Sequence, residues 1–223
     1  MYKSNKHNMK VPLLSTLFNY VLLTTRKYGI DESHGISHSM NILRYANAIF
    51  EEEMKWSPNP ELLKSQEPLI YTAAVVHDMC DHKYRVEEEG LEEISRLLEP
   101  VSKLSRDDRK AVLDIVSTMS YSKVKKVGFP ALDTYQTAYH IVREADLLTA
   151  YDFDRSMIYH MSTGNRSLDD AFSNAKDLFY DRVLRHNEDG LFFTRYAQRH
   201  SNTLHNRALM RMLYWKKVVG RVG

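Results

Sequence analysis

The sequence predicts an all-α protein folded as a single compact multi-helix bundle, and three observations carry that prediction. Glycine and proline are scarce, at 8 and 6 of 223 residues, whereas the helix-forming residues Leu, Ala, Glu, Lys, Arg and Met are plentiful. Apolar residues recur at steps of three and four along several stretches. No stretch alternates apolar and polar residues with the period of two that a half-buried strand needs. The chain is long enough for one sizeable core, and no composition shift marks a linker. Residues 1–223 therefore read as one domain, with a functional core at about 30–155 and C-terminal helices at 167–218.

The elements follow in order. Leu14, Leu17, Val21 and Tyr28 outline a first helix that ends near Gly29. Asp31 to Ser37 reads as a loop, with Ser37 as the N-cap of the next helix. On that helix His38, Ile42, Tyr45 and Ile49 share one face, and Ser57-Pro58-Asn59-Pro60 breaks it. Pro68 suits the first turn of a short apolar helix whose inner face is Ala73, Val76, His77 and Cys80. A charged helix from about Glu87 to Leu98 ends before Pro100. Ser105 with Asp108 has the pattern of a capping box for a helix reaching about Met119. Tyr121 to Pro130 reads as a basic loop. One long helix is expected from Thr134 to about Met161, with Tyr139, Val142, Asp146, Ala150 and Phe153 on a stripe. Ser167 with Asp170 forms a second capping-box pattern, and two helices complete the chain.

Bulk properties exclude several function classes. The balance of 31 basic and 29 acidic residues gives a net charge of +2, which argues against general nucleic-acid binding or a membrane-surface protein but leaves room for a local basic pocket. Cys80 is the only cysteine, so no intramolecular disulfide can form and a reducing compartment is the simpler reading. The stretch Val11 to Leu23 is interrupted by Pro12, Ser15, Thr16 and Asn19 and is too short to span a bilayer. The polar N-terminus lacks a signal-peptide core directly behind it. A cytoplasmic location is expected. Apolar helices bearing Met and Tyr permit a homodimer without requiring one.

Chemistry is first suggested by the adjacent pair His77-Asp78. Successive residues on a regular helix point about 100° apart, so the two converge on one ion only at a helix end. His38 opens its helix on the apolar face, and Asp146 sits on an otherwise apolar stripe. Burying a lone carboxylate there costs several kcal/mol (of that order) unless it is paired or bound to a cation. Each residue has a plainer reading by itself: a histidine on an apolar face is usually a hydrogen-bonded core residue, Asp146 has Arg143 one turn away as a partner, and His-Asp is a common dipeptide. Joint binding of a cation would satisfy all four groups at once.

The run Asp31-Glu-Ser-His34-Gly-Ile-Ser-His38-Ser-Met-Asn-Ile42 resembles the opening motif of HD-domain phosphohydrolases. Ala73-Ala-Val-Val-His77-Asp78-Met-Cys-Asp81 is similar to the namesake motif of that family, and Glu144-Ala-Asp146-Leu-Leu-Thr-Ala-Tyr151 to its last. The order H…HD…D matches, and the likeness covers roughly residues 10–215. Within the superfamily the chain looks most like the small bacterial-type HD proteins that hydrolyse nucleotides. The resemblance implies an HD-domain bundle with one divalent metal on His38, His77, Asp78 and Asp146. The extra histidines and the Gly-Tyr-Pro run of the cyclic-dinucleotide branch are absent, which favours one metal over two. Glu144 departs from the pattern, because these relatives often carry Asp there.

Two imidazoles and two carboxylates suit Mn, Fe, Co, Ni or Zn better than Mg, which prefers oxygen ligands, and manganese is the first expectation. Asp81 lies one helical turn after His77 and is assigned as the base that orients an attacking water, with Asp78 as the other catalytic carboxylate. Asp81 as a solvated helix-end residue is its plainer reading. His34, Lys83, Arg85 and Arg143 are the expected substrate-binding groups, although an exposed Lys or Arg faces solvent by default. Glu144 is expected to hold water or the imidazole N–H of a ligand, and His82 to lie at the surface. His140, His160, His186, His200 and His205 read as structural or surface residues, and Lys123-Val-Lys-Lys126 as a solvated loop or a border of the pocket. The resulting expectation is a nucleotide phosphohydrolase, first a nucleoside triphosphate pyrophosphohydrolase. The alternatives are a nucleoside 5′-monophosphatase and a non-catalytic metal- or nucleotide-binding module. Guanosine-tetraphosphate hydrolysis is disfavoured, since that branch has Glu-Asp where this chain has Asp81-His82.

Overall fold

Local chemistry sets where each helix begins and ends in the computed structural model, which describes residues 13–163 and 167–222. The polar N-terminal residues, with Val11 and Pro12, lie outside the described residues. Helix α1, Leu13–Tyr28, stops at Gly29, whose φ of +65° lies in the left-handed region that glycine enters without strain. A 3₁₀ turn, Glu32–His34, is capped by Asp31, which accepts from the Ser33 N–H at 2.9 Å. It leads into α2, Ile36–Met54. The expected cap at Ser37 is displaced: the helix starts two residues earlier, with Gly35 in the cap position and no side-chain cap.

Asn59 caps the short α3, Pro60–Ser65, and α4, Glu67–Val76, runs with Pro68 in its first turn. Seven residues of α4 are buried, from Leu69 to Val76, which makes it the central rod. Helix α5 spans Glu87–Leu98. Helix α6 spans Arg106–Thr118 and carries the expected capping box, with both the Ser105 and Asp108 side-chain bonds present. Residues 121–127, expected as loop, form helix α7, Tyr121–Val127. Ser120 caps it through the Lys123 N–H, Val124 buries its inner face, and Gly128 at φ +81° ends it.

The expected long helix is two: α8, Gln136–Thr149, and α9, Phe153–Ser162. Asp152 causes the break. Its side chain accepts from the Arg155 N–H at 3.2 Å and caps a new helix start, a role aspartate fills better than it continues a helix. Ser167 caps α10, Leu168–Asp181, and a final long helix, α11, covers Arg195–Val222.

Helix α4 packs against α1, α2, α6 and α8, and α11 lies along α2, α8 and α10. Ile42, Ile49, Leu69, Ile70, Ile115, Ile141 and Val142 are fully buried between them. Each such side chain contributes roughly 1.5–3 kcal/mol by leaving water. Helices α9 and α10 pair and close one end. The protein is thus an all-α, single-domain bundle, with no strand among the described residues. No helix among them is long and apolar enough to cross a membrane. The packing brings the start of α2, the C-terminal end of α4 and the last two turns of α8 to one place.

Candidate metal centre and its cleft

His77 is the residue at which α4 ends, and the chain then turns tightly, with the Met79 N–H donating to Val76 O at 2.9 Å. That departure from helical geometry lets His77 and Asp78, adjacent in sequence, face the same point. His77 Nε2 lies 3.1 Å from Asp78 Oδ1 and 4.0 Å from Asp146 Oδ1. His38 Nε2, from the first turn of α2, lies 3.1 Å from Asp78 Oδ2 and 3.7 Å from Asp146 Oδ1. The four expected ligands therefore meet, as two overlapping triads that share His38. One is His38, His77 and Asp146; the other is His34, His38 and Asp78; within each the ligand atoms lie within 4.8 Å of one another. His34, expected among the substrate-binding groups, also belongs to the cluster, with Nδ1 at 2.8 Å from Asp78 Oδ2.

The donor set fits a divalent transition metal. His77 Nδ1 is 3.0 Å from Ala74 O, which fixes that nitrogen as the N–H and turns Nε2 toward the carboxylates. Nε2 is buried and, although close to Asp78, is not aligned for a hydrogen bond with it. Electrostatics tie the groups together. Burial opposes the charge on Asp78, but the imidazoles of His77 and His34 outweigh it and hold the carboxyl well below its ordinary value. Burial likewise works against protonated His77, yet the Asp78 carboxylate raises it to about 9. His38 goes the other way, to about 4, through burial and then the nearby Arg155 guanidinium.

The cluster opens into a cavity of about 380 Å³ lined by His34, His77, Asp78, Asp81, Lys83 and Asp146. Asp81 accepts from the Lys83 N–H at 2.9 Å, and Lys83 Nζ reaches to 3.6 Å of its carboxylate. His82 is exposed, as expected. Lys123 also lines the wall, ion-paired with Glu87 and donating to Ser117 O at 2.8 Å, so the basic run does border the cavity. Cys80 is buried packing, and its thiol is pushed up to about 12 by burial.

Two expected substrate groups are elsewhere. Arg85 stacks 4.1 Å over the Tyr28 ring and pairs with Glu93 at 2.6 Å, because the turn into α5 aims it along that helix rather than into the cavity. Arg143 precedes Asp146 by three residues, but its guanidinium turns inward. It donates to Leu191 O, lies 3.2 Å from Glu144 Oε1 and stacks 4.9 Å over Phe129. Glu144 points away from the cluster: it accepts from the Phe193 and Thr194 N–H groups and the Thr194 hydroxyl at 2.9, 3.0 and 2.7 Å, and so anchors the start of α11.

Their places are taken by two arginines that the sequence did not single out. Arg155 lines the cavity with Nη1 at 2.7 Å from His38 Nδ1 and 3.2 Å from Ser33 O. Arg182 lies 4.3 Å over the Tyr121 ring on another wall. Arg155 was hidden by the reading of 134–161 as one helix, and nothing in the spacing around Arg182 marks it. His186 is buried among Tyr121, Tyr151 and Phe192 with no hydrogen-bond partner for either ring nitrogen among the described residues, and burial drives it down to about 3.

No family model matches the chain, and no curated protein matches its sequence. Among solved structures it is similar to a Lactobacillus plantarum protein whose crystal structure was determined as a structural-genomics target. The TM-score is 0.64 at 18% identity, over 92% of this chain and 97% of that one. At that identity the likeness shows a shared fold across nearly the whole length of both chains.

Proposed function

We propose that the chain is an HD-type, metal-dependent phosphohydrolase acting on nucleotides, with pyrophosphohydrolysis of a nucleoside triphosphate as its reaction. The observation that carries this reading is the convergence of His38, His77 and Asp146, with Asp78 against both imidazoles, from three separate stretches of chain. The choice of nucleotide, and of the bond cleaved, comes from the motif resemblance.

His38, His77, Asp78 and Asp146 would hold a divalent cation, manganese first, which would supply Lewis acidity to a water and neutralise phosphoryl charge. The remaining work falls to side chains. Ala74 O holds the His77 ring in its ligating orientation. Asp81 orients the attacking water and accepts its proton. The water oxygen bonds to the α-phosphorus, and the bond from that phosphorus to the bridging oxygen breaks as pyrophosphate leaves with its electron pair. Lys83, Lys123, Arg155 and Arg182 bring positive charge to the phosphate chain. Val116, Met119, Phe179 and Val183 give the same cavity an apolar wall against which sugar or base can pack.

The test is an assay of chelated, manganese-reloaded protein against a panel of nucleotides. Pyrophosphate release from triphosphates is expected, whereas orthophosphate from monophosphates replaces this reaction with a 5′-monophosphatase. An absence of turnover with metal bound removes both and leaves a non-catalytic binding module. Asp81→Ala is expected to abolish turnover while elemental analysis still finds the metal.

A further inference from the structure

A second cavity, of about 370 Å³, shares Arg155 and Asp152 with the metal cleft but opens between α2, the 148–155 segment and α11. Four arginines line it: Arg44 from α2, Arg155 from α9, and Arg207 and Arg211 from α11. Two carboxylates, Asp152 and Asp154, face them. Asp154 is fully engaged, accepting from Arg211 Nη2 at 2.6 Å and Nε at 2.8 Å and from the Trp215 indole N–H at 2.6 Å. Asp152 is used as the cap of α9. Arg155 bonds to Ser33 O and the His38 ring rather than to a carboxylate. Arg44 and Arg207 have no carboxylate within ion-pair distance among the described residues. Both push the neighbouring half-buried His200 below its ordinary value, after burial itself.

Three guanidinium groups with no ion pair among the described residues, Arg44 and Arg207 of them exposed, thus line one concavity from three different helices. A single exposed arginine needs no explanation. Three lining one cavity make it a positively charged cleft, and such a cleft concentrates anions. The planar fork of arginine matches phosphate oxygens in pairs. Tyr151, buried in the same wall, has a hydroxyl with no partner among the described residues.

We propose that this cavity binds an oligophosphate, free or as the phosphate chain of a nucleotide, through Arg44, Arg155 and Arg207. Arg44 and Arg207 line this cavity and not the metal cleft, so the site holds whether or not the metal cleft hydrolyses anything. Because Arg155 belongs to both cavities, binding in one changes affinity in the other, and by thermodynamic necessity the coupling is reciprocal.

Isothermal titration of inorganic tripolyphosphate into chelated, metal-free protein tests the proposal without any turnover. Binding is expected to weaken steeply with salt, and R44E/R207E to weaken it by about tenfold or more. Lys110→Glu, an exposed position on α6 outside both cavities, is expected to leave it within about twofold. The neutral pair R44Q/R207Q guards against loss of fold, which circular dichroism monitors. Repeating the titration with a nucleoside triphosphate separates the two sources. Equal affinity assigns the phosphate chain alone, and tighter binding that R44E/R207E also removes assigns a nucleotide. Undiminished binding by both double variants, or an equal loss in Lys110→Glu, overturns the site.

Discussion

Replacing Glu144 by alanine removes the acceptor for four donors at a fully buried position. The Phe193 and Thr194 N–H groups, the Thr194 hydroxyl and Arg143 Nη2 all lie 2.7–3.2 Å from its carboxylate, whose exposure is 0%. Burial pushes the carboxyl up and Arg143 with the Thr194 and Phe193 donors pulls it back; four donors at bonding distance argue for an ionised group at neutral pH. Alanine leaves Arg143, only 2% exposed, as an unpaired buried charge. Breaking a buried pair in this way costs about 3–5 kcal/mol. For a chain of this size each kcal/mol is worth about 2–4 °C, so the melting temperature is expected to fall by about 6–20 °C. Calorimetry measures the shift. Elemental analysis of folded protein below the transition should find metal undiminished, because Glu144 turns away from the cluster. Glu144→Gln, which keeps an acceptor oxygen, should cost less than half as much. A melting temperature within about 2 °C of wild type for Glu144→Ala would refute the anchoring role, and loss of metal from folded Glu144→Ala would refute the separation of Glu144 from the cluster.

The remaining predictions address the cluster, the turn beside it and one titrating pair. His77→Ala and Asp146→Ala are each expected to lower bound metal from about one equivalent to below about a tenth, read by elemental analysis at unchanged circular dichroism. Full occupancy in either variant would mean the cluster is not the metal site. Gly90→Ala would place a Cβ 2.5 Å from Cys80 Cβ and 2.7 Å from its Cα, so the turn carrying Asp78 and Asp81 must shift. A loss of about 1–3 kcal/mol by denaturant melt, together with impaired turnover, is expected, and a neutral effect on both would contradict the packing. Glu93 is held at about 2, below its ordinary 4.5, first by the Arg85 hydrogen bond. A depressed carboxyl stabilises the fold above its unfolded value, and that contribution disappears as pH falls from about 4.5 toward about 2. Glu93→Gln should therefore cost about 1 kcal/mol at neutral pH and nothing measurable near the lower limit, as urea melts across pH will register.

Much of this architecture is legible in the sequence because it depends on neighbours within a few residues. Gly29 ends α1 and Ser105 with Asp108 starts α6, since a positive φ and an orphan N–H are satisfied locally. The same is true of the apolar face that carries His38, and of the turn after Val76 that lets His77 and Asp78 converge. Even so, local signals compete. Asp152 is polar enough to pass as a surface position of one long helix, yet its carboxylate stops that helix and begins another. Ser120 does likewise for residues 121–127.

By itself the sequence determined the helical class, most of the helix ends and the identity of the four side chains that meet around His38 and His77. The class and the helix ends follow from backbone propensity, capping and the period of apolar residues, which act over a turn or two of chain, and the four side chains from the resemblance of three short motifs. Only the tertiary structure decided which cations face the cluster. Arg85 and Arg143 are its neighbours in sequence but spend their charge on Glu93, Glu144 and Leu191 O, while Arg155 and Arg182 reach it from afar. A long, flexible charged side chain goes to whatever partner packing brings within reach, and that is fixed by helices crossing in space rather than by spacing along the chain.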